Sequence, residues 1–189
     1  MSFAFVSGNP ALDLAGTVAS RRDAPVDALA EPLDLERWVA ECDGLPGRVA
    51  VDFVGLESAW SLREALYRLA LDRVLDRAFD PSSLKIVNRA AAGPVPTVEL
   101  SDAGLHMSGD LLAVLAHIAR SGMAALADPH ACFKECGRTV CTRIYLDRSR
   151  GARRTWCGMD ECGNRVKAAA YRARRRSSTV GDGGAEVTA

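Results

Sequence analysis

Residues 135–165 read ECGRTVCTRIYLDRSRGARRTWCGMDECGNR and contain two cysteine pairs with the same internal spacing. The pairs are Cys136/Cys141 and Cys157/Cys162, each enclosing four residues, and fifteen residues separate them. Structural zinc takes four tetrahedral ligands, and two short loops can each bring two thiolates onto one ion. The spacing therefore predicts one structural Zn²⁺ per chain, with no coordination position left for an activated water.

The residues around these pairs predict a treble-clef finger, in which a knuckle, a hairpin and a helix surround one zinc ion. The stretch between the pairs contains RIYL, a basic turn at 149–152 and RTW, which favours a hairpin linking the pairs. The residues after Cys162 are rich in helix formers and predict a helix to about Arg176. The residues expected to face the zinc core are Val166, Ala169, Ala170 and Ala173. A piece of roughly 40 residues buries too little apolar surface to fold alone, whereas structural zinc contributes about 10–16 kcal/mol in small fingers.

Spacing alone leaves other interpretations open. A redox dithiol is disfavoured because neither pair is Cys-x-x-Cys, but an iron–sulfur site fits the spacing as well. Cys132 and Cys136 enclose three residues and could also act as a ligand pair, and His130 is a further candidate ligand.

Charge and cysteine content divide the 189-residue chain into two units. Residues 1–130 carry 11 basic and 18 acidic side chains and one cysteine, whereas residues 131–189 carry 13 basic and 6 acidic side chains and five cysteines. We expect an acidic domain over 1–130, a zinc finger over 131–176 and a flexible tail over 177–189.

Apolar periodicity and capping residues indicate that the acidic domain is mostly helical. Helices are predicted over residues 10–20, 34–44, 56–79, 80–92 and 110–126. Between them, residues 94–109 predict a β-hairpin with a four-residue loop, SDAG. The predicted fold class is α+β, a helical domain with a small sheet followed by a treble-clef-like finger.

Motifs for catalysis and for membrane insertion are both missing from the sequence. It contains no P-loop, no dinucleotide-binding glycine motif, no nucleophile elbow and no zinc-protease motif, so we expect no enzyme activity. His106 and His117 have no neighbouring nucleophile, and Cys42 is expected to be a small buried apolar residue. No apolar run approaches about 18 residues. The first ten residues do not resemble a secretory signal, which predicts a cytoplasmic protein with reduced thiols.

Two motifs resemble known families. Residues 156–167, with Cys162-Gly163-Asn164-Arg165 at their centre, resemble the signature of the CGNR zinc fingers, and the segment from Cys136 to Arg150 lies at that family's offsets. This resemblance implies Cys136, and not Cys132, as a ligand. Residues 8–18, GNPALDLAGTV, resemble the opening motif of the ABATE domain, with Gly16 where that motif usually has Asn. The resemblance spans residues 4–176 and implies a bacterial, stress-associated transcription regulator.

The basic unit favours a nucleic acid partner. Twelve basic side chains lie between Arg138 and Arg176 against three acidic ones, and eleven of the twelve are Arg, whose planar fork suits phosphate and guanine edges. The predicted nucleic-acid-binding residues are Arg143, Arg148, Arg150, Arg153, Arg154, Arg165, Lys167, Arg172, Arg174, Arg175 and Arg176. The alternatives are a solvated helix end or a finger that docks a protein or RNA in an assembly factor.

A DNA-binding finger fused to an acidic domain suggests a switch that receives an input. Asn9, Asp13 and Thr17 are polar residues in a largely apolar helix and are candidates for binding a small-molecule effector. Helix capping and local backbone bonding are the alternative explanation for all three. One short finger binds DNA weakly, so we expect a homodimer.

Overall fold

The computed structural model describes residues 3–180 of the chain, with side chains to residue 175. The helices are α1 (Pro10–Ala15), α2 (Pro32–Glu41), α3 (Phe53–Val74), α4 (Pro81–Ala91), α5 (Leu111–Ala127) and α6 (Asn164–Val180), with a π-helical turn at Met159–Gly163. Three antiparallel strand pairs are β1 (Val18–Ala19) with β2 (Val26–Asp27), β3 (Thr97–Ser101) with β4 (Gly104–Ser108), and β5 (Phe133–Glu135) with β6 (Ile144–Leu146). The predicted α+β class is confirmed.

Three helices begin at the capping residues that the sequence indicates. The carboxylates of Asp80 and Asp110 each accept a hydrogen bond, at 2.8 Å, from the backbone N–H three residues later in the chain. The Asn9 side chain accepts from the Ala11 N–H at 2.9 Å. These acceptors satisfy backbone donors that have no partner within the helix. Each cap is followed by an apolar face, which explains why these starts were predictable.

The predicted limits of other elements are wrong by a few residues. Helix α3 begins at Phe53 because Asp52 accepts from the Gly55 N–H at 2.7 Å, a cap that apolar periodicity does not reveal. Helix α2 begins at Pro32, so Asp34 lies in its first turn instead of preceding it. The β3–β4 loop has two residues and not four, since Ser101 pairs with Gly104.

One core connects the helical domain with the first part of the finger. Helices α1, α3, α4 and α5 pack around side chains that are at most 2% exposed, including Leu14, Leu66 and Ile118. Strands β5 and β6 add further side chains to the same core, which are Phe133, Ile144 and Leu146. The finger is thus joined to the body by packing as well as by the chain.

The finger differs from the prediction in its hairpin and its helix. Strand β6 pairs with β5, so the hairpin encloses the first cysteine pair and does not link the two pairs. Helix α6 continues to Val180, and the rest of the predicted flexible tail, 181–189, lies outside the described residues. The expectation that α6 packs its small residues on the zinc core is wrong: Val166 is half-buried, but Ala169, Ala170 and Ala173 are exposed.

Candidate metal centre and basic surface

Four cysteine sulfurs meet between the knuckle and the start of α6. The Sγ atoms of Cys136, Cys141, Cys157 and Cys162 all lie within 4.8 Å of one another. Two of the separations are 3.9 Å (Cys141 to Cys157) and 3.6 Å (Cys157 to Cys162). A tetrahedral zinc with sulfur at about 2.3 Å requires sulfur–sulfur separations of about 3.8 Å, whereas a disulfide requires about 2.05 Å. The cluster therefore fits one tetrahedral metal ion, and all of these cysteines are free thiols.

Cys132 is separate from the sulfur cluster. Its carbonyl accepts a hydrogen bond from the Asp147 N–H at 2.8 Å, which uses the residue in the backbone of the finger. Within residues 3–175, the only group of three or more His, Cys, Asp or Glu side chains placed to hold a metal is the four-cysteine cluster.

Hydrogen bonds among the sulfurs shift the pKa values of three thiols in this cluster. Hydrogen bonds from Cys141 and Cys157 hold the pKa of Cys136 well below its usual range, while the bond to Cys136 raises the pKa of Cys141 to about 11. The pKa of Cys157 is also raised, by its bonds to Cys136 and Cys141 and by burial. These pKa directions favour a thiolate at Cys136 and protons on Cys141 and Cys157. A bound divalent ion reverses this preference and holds thiolates.

The buried carboxylate of Asp147 holds the loop between the two cysteine pairs through hydrogen bonds. Asp147 accepts from Lys134 Nζ at 2.7 Å, from the Arg154 N–H at 2.9 Å, and from the Ser149 N–H and hydroxyl at 3.0 and 2.6 Å. Burial alone would raise the pKa of Asp147, but the bonds from Lys134, Ser149 and Arg154 outweigh it and hold that pKa well below its usual range. The charged carboxylate therefore stabilises the folded loop.

We expect Asp147→Asn to lower the urea midpoint of the folded protein at pH 7. Because the folded-state pKa is depressed, the stabilisation is present above the ordinary Asp pKa of about 3.9 and is lost as the pH falls below it. The difference between variant and wild type should therefore shrink when unfolding is repeated at pH 3 to 4. Asp160→Asn, at an exposed carboxylate of the same finger, is the control and should change little. A difference that grows on acidification would contradict this role.

Two of the predicted nucleic-acid-binding residues form hydrogen bonds with backbone carbonyls of the protein itself. The Arg154 guanidinium lies 4.5 Å from the Tyr145 ring centre and donates to the carbonyls of Trp156 at 2.7 Å and Val6 at 2.8 Å. Arg143 donates to the Gly16 carbonyl at 3.4 Å, and a Cβ at position 16 would lie 3.0 Å from Arg143 Nε. The glycine that replaces the usual Asn thus leaves room for Arg143. The contacts of Arg143 and Arg154 thus join the finger to the body, and the function proposed below does not use these two residues to bind phosphate.

The other predicted basic residues lie on two exposed segments. Arg148, Arg150 and Arg153 are exposed on the loop after β6. The exposed basic residues of α6 are Arg165, Lys167, Arg172, Arg174 and Arg175, while the side chain of Arg176 lies outside the described ones. Sequence reasoning missed Arg138 as a site residue, although its place between two ligands was a signal. Its Nη1 lies 4.0 Å from the Cys162 sulfur.

The predicted effector residues do not form one site. Asn9 caps α1 and donates to Ser121, Asp13 accepts from the Ser7 N–H at 2.9 Å, and Thr17 donates to the Leu14 carbonyl at 2.7 Å. Burial raises the pKa of Asp13. Asp13 and Thr17 line a cavity of about 150 Å³, whereas Asn9 borders a different one. Small-molecule pockets usually measure about 300–1,000 Å³, so the capping and backbone-bonding explanation accounts for these residues better.

This arrangement defines a class: a helical body that carries a four-cysteine treble-clef finger on a shared core. The ABATE family, described as "Putative stress-induced transcription regulator", matches residues 8–129, and the CGNR zinc finger matches residues 133–175. The chain therefore belongs to the ABATE family and carries a CGNR zinc finger after that domain, which confirms the resemblance. These are regulator and zinc-finger families, not enzyme families. A search of curated proteins found no match. No helix in the described part of the chain has the length and hydrophobicity needed to cross a membrane.

Proposed function

We propose that this protein is a zinc-dependent DNA-binding transcription regulator. The observation that carries the proposal is the four-sulfur cluster of a finger that exposes eight of the predicted basic side chains. Bound zinc would supply no reaction chemistry here, because four sulfurs complete its coordination. Its role would be to hold the knuckle and the start of α6 in one geometry.

The exposed arginines support a phosphate-binding role for this surface. Arg148, Arg150 and Arg153 lie on one loop and Arg165 and Arg172 on the helix, so the positive charge is spread over two elements. Each phosphate contact releases counterions and contributes about −0.9 to the slope of log affinity against log salt. With about six contacts, the slope would be near −5.

We propose that the helical body binds a small effector and forms the homodimer interface. A largely apolar cavity of about 480 Å³ lies between α3, α4 and α5, lined in part by Ser58, Leu62 and Ala90, and its size suits a small effector. A homodimer would double the DNA contact of one short finger. Leu100 and Leu105, 79% and 69% exposed and paired on the β3–β4 hairpin, offer apolar surface to a second copy.

We expect the zinc-loaded chain to bind labelled random duplex DNA with a steep salt dependence, and to lose at least tenfold in affinity after chelation. Anisotropy titration at several salt concentrations measures both, and sedimentation of the complex should show two chains per duplex. Reloading with zinc is the control and should restore binding. Binding that ignores chelation, or a preference for single-stranded RNA, would instead favour a docking role in an assembly factor.

A further inference from the structure

A groove of about 560 Å³ separates the zinc knuckle from helix α6. Arg138 and Val140 lie on the knuckle side, and Arg165, Ala169 and Arg172 lie on the helix side. Val140 is 46% exposed, so the knuckle side of the groove offers apolar surface that solvent reaches. The described lining residues include three guanidiniums and no carboxylate.

Helix geometry separates this groove from the rest of the basic surface. At about 100° per residue, Arg165 and Arg172 share one face of α6, whereas Lys167 and Arg174 lie on the opposite face. Seven residues rise about 10.5 Å, close to the axial rise of three nucleotides in one DNA strand. The small Ala169 between the two arginines leaves the groove open on that side.

The guanidiniums of the groove retain donors for a ligand. Among the residues that the structure describes, Arg165 and Arg172 form no salt bridge. Arg138 approaches the Cys162 sulfur with one nitrogen, and a guanidinium has five N–H donors. A ligand here must therefore supply several anionic acceptors in a row together with some apolar surface.

We propose that this groove binds the sugar–phosphate backbone of one strand of duplex DNA. Phosphate oxygens accept from Arg138, Arg165 and Arg172, and deoxyribose carbons contact Val140 and Ala169. Duplex DNA is favoured over an acidic peptide because its phosphates repeat regularly along the length of the groove. This inference rests on the proposed function and adds which arginines act and where the backbone lies.

A metal ion held by the four cysteines would help to set the separation of the two groove walls. Cys136 and Cys141 flank the knuckle wall, and Cys157 and Cys162 precede the helix wall. Helix α6 has its main packing contacts with the adjacent π-helical turn and not with the body. The Gly137 N–H donates to the Thr155 carbonyl at 2.9 Å and so also links the knuckle to the second cysteine pair, but this bond does not reach helix α6 itself. A common ion would therefore add the link that fixes the start of α6 against the knuckle.

Arg172→Ala and Arg174→Ala form a matched pair that tests the groove. Both remove one arginine from the same exposed helix, two residues apart, but only Arg172 lines the groove. We expect Arg172→Ala to weaken binding of the zinc-loaded chain to a labelled 20-base-pair duplex about tenfold, the effect of one charged hydrogen bond. The salt slope should fall by about 0.9. Arg174→Ala should weaken binding less than threefold, because on the face away from the groove Arg174 contributes general attraction to DNA and no groove contact.

The outcomes separate the two proposals. Equal losses in the two variants, with wild type still binding, would overturn the groove and leave the proposed function standing. A zinc-loaded wild-type chain that binds no duplex at low salt would overturn both. After chelation the difference between the variants should disappear, and its persistence would overturn the role of the metal. Arg138→Ala should match Arg172→Ala; a dye assay for released zinc checks that its metal content is unchanged.

Discussion

Replacing Cys157 by serine is expected to reduce the bound zinc from one ion per chain to less than a tenth of that. The Cys157 side chain is fully buried, and its sulfur lies 3.6 Å from that of Cys162 and 3.9 Å from that of Cys141. Its N–H also donates to the Cys136 sulfur at 3.5 Å. A serine hydroxyl stays protonated and supplies no thiolate, so the variant should lose much of the roughly 10–16 kcal/mol that structural zinc contributes. Elemental analysis of the purified protein measures the loss.

Cys132→Ser is the matched control because Cys132 lies four residues from a ligand in the same segment. We expect this variant to retain one zinc per chain, since the residue contributes its backbone carbonyl and not its sulfur to the described finger. Loss of metal in Cys132→Ser together with retention in Cys157→Ser would refute the ligand set. Iron and acid-labile sulfide in the wild-type protein, with visible absorption, would identify an iron–sulfur centre instead.

Ile144→Ala is expected to lower the free energy of unfolding by about 2–5 kcal/mol, the usual cost of emptying a core position. Ile144 is 2% exposed and belongs to the core that α1, α3, α4 and α5 build. It also pairs with Glu135, directly before the first ligand, so its loss should weaken metal binding as well. Urea unfolding with a fixed zinc concentration gives the stability, and competition with a chelator gives the metal affinity.

Val140→Ala provides the comparison for Ile144→Ala. Val140 lies next to Cys141 but is 46% exposed, so its truncation should cost less than about 0.5 kcal/mol. If the helical body of Ile144→Ala unfolded at the wild-type urea concentration while only the finger changed, the common core would not transmit stability between the two parts.

The metal centre was predictable because its information is local. Two pairs of residues, each five positions apart, are enough to place four sulfurs on one ion when the turns between them are short. The caps at Asn9, Asp80 and Asp110 were predictable for the same reason, since each acts on a backbone group two or three residues away.

The remaining features depend on partners far along the chain. Arg154 bonds a carbonyl 148 positions away and Arg143 one that is 127 positions away, so no local pattern distinguishes them from the exposed arginines. Likewise, the exposure of Ala169 and Ala170 follows from the direction in which α6 leaves the finger. Their small side chains suggested a packed face, but composition does not reveal whether a neighbouring element is there to cover it.

Zinc fingers are often treated as independently folding modules that can be moved from one protein to another. This finger is not separable in that way. Cutting the chain at residue 130 would expose the apolar side chains of Phe133, Ile144 and Leu146 and would leave a cavity in the core of the helical body. A substitution at a shared core position in one part is therefore expected to require a compensating substitution in the other. The two parts are expected to be inherited and exchanged as a single unit.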